Sequence, residues 1–257
     1  MAESTWIRRF HPADGAPTRL VCLPHAGGAA SYFFPVSRRL SPGVDVLAVQ
    51  YPGRQDRRAE PPVDDLHGLA DLVAAELLPW SRRPLALFGH SMGATLAFEV
   101  AARLEGEGAV PAAVLASGRR SPTRHRDERV HLADDARLIA DLRRLSGTSA
   151  EMLDDDEVLR MILPAVRADY RAAETYRRRP GTVLSCPVVA LTGDDDPQVT
   201  REEAAAWREC TTGGFRLEIF PGGHFYLNDH AEALIGLISE LLAAPERIGV
   251  AAPAPRA

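Results

Sequence analysis

Five consecutive residues, Gly89-His90-Ser91-Met92-Gly93, carry the arrangement Gly-x-Ser-x-Gly. A serine hydroxyl is a poor nucleophile until a base takes its proton and hydrogen-bond donors receive the charge that its attack creates. The spacing suits that chemistry. A serine on a sharp turn stands clear of its neighbours, and the flanking glycines let the backbone pass without a Cβ clash. A helix starting at once points its positive end toward the developing charge. The motif alone is short enough to arise by chance, so its surroundings decide. An apolar run at 84–88 precedes it and a helical stretch at 94–104 follows, the strand-turn-helix setting that such a nucleophile needs.

A base must accompany the serine, and the chain has 8 histidines. His90 is adjacent to Ser91, but neighbours at a strand end project differently, so it is expected to support the turn. His25 belongs to another glycine-containing loop. His11, His67, His125, His131 and His230 are expected at the surface. His224 stands apart, because Pro221-Gly222-Gly223-His224 follows directly on an apolar run at 215–220. The orienting acid is sought after the run at 187–191, in Thr192-Gly193-Asp194-Asp195-Asp196-Pro197. The position three residues beyond the glycine selects Asp196, with Asp194 as the alternative. Three aspartates also suggest a cation site. They lack the alternating spacing of a calcium loop, and consecutive side chains diverge, so no metal is expected. Two backbone N–H groups must receive the oxyanion. Met92, following the nucleophile, is expected to give one, and Ala26 in Pro24-His25-Ala26-Gly27-Gly28 the other.

These loops need a scaffold that ends its strands side by side. Strand-like runs at 18–23, 44–50, 84–88, 111–116, 187–191 and 215–220 alternate with helical patterns at 31–40, 66–80, 94–104, 201–209 and 231–242. That alternation predicts a mostly parallel sheet flanked by helices. Within 66–80, Leu66, Leu69, Ala70, Val73, Leu77 and Leu78 share one side at helical spacing. Strand signals vanish between Gly118 and Pro180, where 134–145 and 154–176 read as helices, with Pro164 a candidate break. The expected organisation is therefore a core over 1–118 and 181–243, a helical insertion over 119–180 and a disordered tail over 244–257. With the chain order Ser…Asp…His, the expected fold is that of an α/β-hydrolase with a helical insertion.

The 257 residues are 46% hydrophobic and 25% charged, the composition of a globular protein. No apolar run approaches the roughly 20 residues that span a bilayer, and the first residues lack a signal-peptide core, so a cytoplasmic location is expected. Cys22, Cys186 and Cys210 are odd in number and widely spaced, fitting neither a disulfide framework nor a zinc site. The net charge of −5 disfavours nucleic acid as a partner. All 30 basic residues are arginine.

The stretch from Leu23 to Gly28, the Tyr51-Pro52-Gly53-Arg54 turn, Phe88-Gly89-His90-Ser91-Met92-Gly93-Ala94, the aspartate loop and Pro221-Gly222-Gly223-His224-Phe225 together resemble the type II thioesterases. These are stand-alone editing enzymes of modular polyketide and nonribosomal peptide synthases, and the resemblance runs from about Arg19 to Leu242. It implies a lid over the site and a substrate acyl group carried on the phosphopantetheine arm of an acyl or peptidyl carrier protein. It implies hydrolysis by Ser91, His224 and Asp196, and no cofactor of the enzyme's own. The choice of thioester over ester comes from the resemblance alone, since the triad serves both. A carboxylesterase or lactonase on the same triad remains the alternative, and a non-catalytic binding protein a more distant one. With no carrier domain or long linker ahead of the hydrolase in this sequence, a stand-alone enzyme is expected rather than a fused chain-terminating thioesterase or cyclase. Arginines cluster at 119–129 and 171–179. Arg124, Arg126, Arg177 and Arg178 are candidates for docking an acidic carrier, equally readable as solvated lid termini. A monomer is expected.

Overall fold

Four apolar runs fold as strands with every residue buried: β3 (Val44–Val49), β4 (Leu85–His90), β5 (Ala113–Ser117) and β6 (Val188–Gly193). Such continuous burial is what a parallel sheet covered on both faces imposes. The computed structural model describes residues 4–145, 154–244 and 248. Its sheet has seven strands in the order β1-β3-β2-β4-β5-β6-β7, where β1 is Ile7–Arg8, β2 Thr18–Leu23 and β7 Phe215–Phe220. All neighbours are parallel except β1, which pairs antiparallel with β3 through Ile7 and Val49. The two-residue β1 is too short to announce itself by periodicity, and it was not foreseen.

Alternation along the strands sorts the core into two layers. Val21 and Leu23 face α2 (Leu66–Leu77) and α3 (Met92–Gly106), joining Leu69, Val73 and Phe98. Leu20 and Cys22 face α1 (Phe34–Leu40) and α8 (Ala231–Ala243), joining Phe33, Ile238 and Leu241. The Asp65 side chain caps α2 by accepting the Gly68 N–H at 2.7 Å. The expected apolar side of this helix is buried except at Leu78, which is 37% exposed. Pro79 follows it, and the chain tightens there into a 3₁₀ turn at Leu78–Trp80 that rotates Leu78 off the buried stripe. A similar change ends the predicted helix at 201–209: α6 spans Arg201–Ala205 and a 3₁₀ turn continues to Cys210.

Between β5 and β6 the described chain leaves the sheet and forms α4 (Asp135–Leu145) and α5 (Asp156–Thr175). These pack on one another through Leu138, Leu142, Leu159, Leu163 and Val166. Pro164 lies within α5 without breaking it into two elements. Its missing N–H removes only the bond to the Arg160 carbonyl. A short α7 (Tyr226–Asp229) precedes α8. The expected disordered tail lies outside the described residues, apart from Ala244 and Ile248, and Ile248 is buried in the second core layer. All three cysteines are free and buried. No described helix is long and apolar enough to cross a membrane.

Candidate active site

The chain passes from β2 outward to β3 and then returns to place β4 on the opposite side of β2. In open α/β sheets that reversal leaves a crevice beyond the carboxyl ends of the two central strands, where ligands bind. Here those ends carry Pro24-His25-Ala26-Gly27-Gly28 and Ser91. Ser91 is the N-cap of α3 and has φ 53° and ψ −119°, a strained conformation for a residue with a side chain. Both glycines of the motif are obligatory. A Cβ on Gly89 would lie 2.0 Å from the Gly93 carbonyl oxygen, and one on Gly93 would lie 2.1 Å from that of Leu23. The second contact draws the first turn of α3 against the end of β2. Met92, whose N–H belongs to the helix's first unsatisfied turn, thus comes beside the 24–28 loop.

Two further loops converge from β6 and β7. Gly193 passes so close to the 222–223 backbone that a Cβ would stand 2.2 Å from the Gly222 carbonyl oxygen. Asp194 accepts the Gly222 N–H at 2.8 Å. Asp196 instead accepts from His224 Nδ1, at 2.9 Å to Oδ2 and 3.1 Å to Oδ1, and Oδ1 also accepts the Gln198 N–H at 2.8 Å. The Asp196 side chain is inaccessible to solvent and His224 is buried. A carboxylate acceptor fixes the His224 tautomer with its proton on Nδ1 and leaves Nε2 as the basic nitrogen.

His25, Ala26, Ser91, Met92 and His224 line one cavity of about 280 Å³, with Leu142, Tyr170 and Ala173 of the insertion among its other walls. The structure therefore brings together every residue expected to act on the reacting group. His90 is not among them. It is fully buried, its Nδ1 lies 2.9 Å from Ser117 Oγ, and Ser117 Oγ lies 2.7 Å from the Tyr226 hydroxyl. This second serine–histidine pair lies beneath Ser91, whose N–H donates to the Ser117 carbonyl at 2.8 Å. Burial, with smaller contributions from the neighbouring imidazoles, depresses the His90 pKa well below the ordinary histidine value. Burial chiefly, with His224 and Arg54 adding, lowers that of His25 to about 3. Both rings are neutral at neutral pH, so neither sets a positive charge beside His224.

Several polar residues around the cavity were not foreseen. Asp169 of α5 is 1% exposed and bonded to Gly27 and Arg54. Glu174 is buried and accepts the N–H groups of Val130 and His131 at 3.0 Å each, and it also holds the His131 ring. His131 is thus half-buried and engaged, not a free surface residue. The available signal was a carboxylate on an otherwise apolar helix face, Asp169 among Ala165, Val166 and Ala172. The four candidate docking arginines separate into two kinds. Arg124 pairs with Glu209 at 2.5 Å and Arg126 with Glu203 at 2.6 Å. Arg177 donates to the Glu174 and Tyr176 carbonyls, and Arg178 to that of Thr182.

Residues 18–242 match the thioesterase domain family. The chain is 56% identical over 247 residues to the "Probable cadicidin biosynthesis thioesterase" of Streptomyces griseus, covering 96% of this chain and 68% of that one. It is 54% identical over 239 residues to "Thioesterase PikA5" of Streptomyces venezuelae, covering 92% and 85%. The solved structure of the type II thioesterase BorB from the borrelidin biosynthetic cluster superposes with a TM-score of 0.89 at 54% identity, covering 94% of this chain and 99% of that one.

Proposed function

Since the chain belongs to the type II thioesterases, the editing hydrolases of polyketide and nonribosomal peptide synthase pathways, we propose that its reaction runs through Ser91, His224 and Asp196. Ser91 Oγ attacks the thioester carbonyl while His224 Nε2 takes the hydroxyl proton. The oxyanion is received by the N–H groups of Met92 and Ala26. As the C–S bond breaks, His224 returns its proton to the departing thiol, leaving the acyl group on Ser91. Water then attacks the ester with His224 again as base, releasing the free acid and the serine. Asp196 holds the imidazole and stabilises its cationic form. The His224 Nδ1 to Asp196 contact of 2.9 Å, beside a strained serine lining the same cavity, is the observation that most supports this reading.

The substrate in this proposal is an aberrant acyl group on the phosphopantetheine arm of a carrier domain, and Arg177 and Arg178 dock that domain. Their guanidinium groups donate to carbonyl oxygens and form no direct ion pair among the described residues, whereas Arg124 and Arg126 are paired with Glu209 and Glu203. The test compares hydrolysis of an acyl-carrier protein, a short thioester of the same acyl group and the matched oxygen ester. The carrier-bound thioester should be turned over with the highest kcat/KM, and Ser91→Ala should abolish all three activities. Equal rates on the oxygen ester and the carrier thioester would refute the carrier assignment.

A further inference from the structure

The insertion is joined to the loop that carries Ala26 by a buried charge. Asp169 projects from α5, is 1% exposed, and through Oδ2 accepts the Gly27 N–H at 2.7 Å. The same oxygen accepts from Arg54 Nη2. Arg54 is itself buried, lies over the Tyr51 ring at 4.9 Å and donates Nη1 to the Pro52 carbonyl at 3.0 Å. Tyr51 closes the circuit by donating its hydroxyl to the Pro24 carbonyl at 3.1 Å. One carboxylate thus ties together the loop after β2, the turn after β3 and a helix of the insertion.

The backbone at both turns fits this junction. Gly27 has φ +76°, and a Cβ there would lie 3.1 Å from Val166 Cγ2; Gly53 has φ +82°, and a Cβ there would lie 3.5 Å from Ala165 Cβ. Ala165, Val166 and Asp169 lie on one face of α5, so that helix face rests on both turns. Burying a carboxylate is costly unless it is paired and hydrogen-bonded. Here burial raises the Asp169 pKa, with Arg54 opposing.

We propose that Asp169 is a positioning residue for the oxyanion hole: by holding the Gly27 N–H it fixes the Ala26–Gly27 segment, so that the hole is complete only when α5 is seated. This rests on the assignment of Ser91 as nucleophile and Ala26 as a donor. Seating of the insertion and readiness for chemistry become one event, and a cavity without its covering helix lacks a trained second donor. The bond is charge-assisted, which suits a contact that must set an N–H direction closely.

The test uses Asp169→Asn, which keeps an acceptor oxygen, and Asp169→Ala, which does not. Removing one oxyanion donor outright typically costs about 10²- to 10³-fold in kcat. Loosening one should cost about 10- to 100-fold in Asp169→Ala, less in Asp169→Asn, with KM for a short thioester nearly unchanged. Affinity for an alkylboronic acid, which forms a tetrahedral adduct on the serine, should fall in parallel with kcat. Affinity for the matching unreactive amide should not. If Asp169→Ala fails to fold, Asp169→Asn carries the test. A rise in KM and a weaker amide complex, with kcat and boronate affinity intact, would mean that Asp169 only holds the insertion in place, overturning the proposal. Activity surviving in Ser91→Ala would instead sink the site assignment, which separates the two failures.

Discussion

Gly193 and Gly222 pass so closely that a single methyl group on Gly193 would overlap the Gly222 carbonyl, at 2.2 Å. That contact sets the loop bearing Asp196 against the loop bearing His224. The obstacle is backbone, so it cannot be relieved by a side-chain rotation. Gly193→Ala should therefore lower stability by about 1–3 kcal/mol. It should also reduce kcat of the protein that remains folded, through a displaced acid–base pair. Denaturant unfolding and single-turnover hydrolysis on the same sample measure both. Wild-type kcat in Gly193→Ala would mean that the two loops adjust independently.

The neighbouring carboxylates should behave very differently. Asp196→Asn removes the charge that holds the His224 tautomer and should slow turnover on the order of 10⁴-fold. Asp194 meets the backbone N–H of Gly222, which an asparagine oxygen can still accept. Asp194→Asn should thus cost little in rate. Steady-state kinetics on a short thioester distinguish them, and a reversed order would exchange their roles.

Ser91→Ala and His224→Ala should each remove nearly all activity, and the double variant should lose no more than either alone, because the residues act as a unit. Clearly multiplicative losses would show that each contributes separately.

The neutral histidines at and beneath the site should make stability depend on acidity. The pKa values of His25 and His90 are lowered in the folded protein, so below the ordinary histidine value the unfolded chain binds protons that the folded chain refuses. Their contribution is intact above about pH 6.5 and is lost as pH falls, for His25 toward a pKa of about 3. Each adds a slope approaching about 1.4 kcal/mol per pH unit within that window. Denaturant unfolding at several pH values should show a shallower acid decline for His90→Gln than for the wild type. An unchanged slope would mean that the ring is protonated in the fold.

Carrier docking should be carried by Arg177 and Arg178, the two arginines that donate to carbonyl oxygens rather than to a paired carboxylate. Replacing Arg177 and Arg178 with glutamine should lower kcat/KM for an acyl-carrier substrate, with a loss that shrinks as salt is raised. A short thioester should be unaffected. The same change at Arg124 should matter less, because Glu209 already offsets its charge. Equal losses on both substrates would make Arg177 and Arg178 supports of the fold.

Local rules reach a definite part of this protein. The apolar run at β4, the glycines at 89 and 93 and the helix behind them announce a strand-turn-helix with a serine at its apex, because every constraint lies within a few residues. The order Ser91, Asp196, His224 and the strand–helix alternation carry the fold class for the same reason. Tertiary structure decided what depends on residues remote in sequence. That Asp196, and not Asp194, meets the His224 ring depends on backbone 28 residues away. The withdrawal of His90 into a chain with Ser117 and Tyr226 rests on strand register. The bond from Asp169 to Gly27 spans 142 residues. Neither side chain nor turn conformation at those positions carries a local signature of its partner. Only the packing of α5 on the ends of β2 and β3, driven by burial of its apolar face, brings that carboxylate to that N–H.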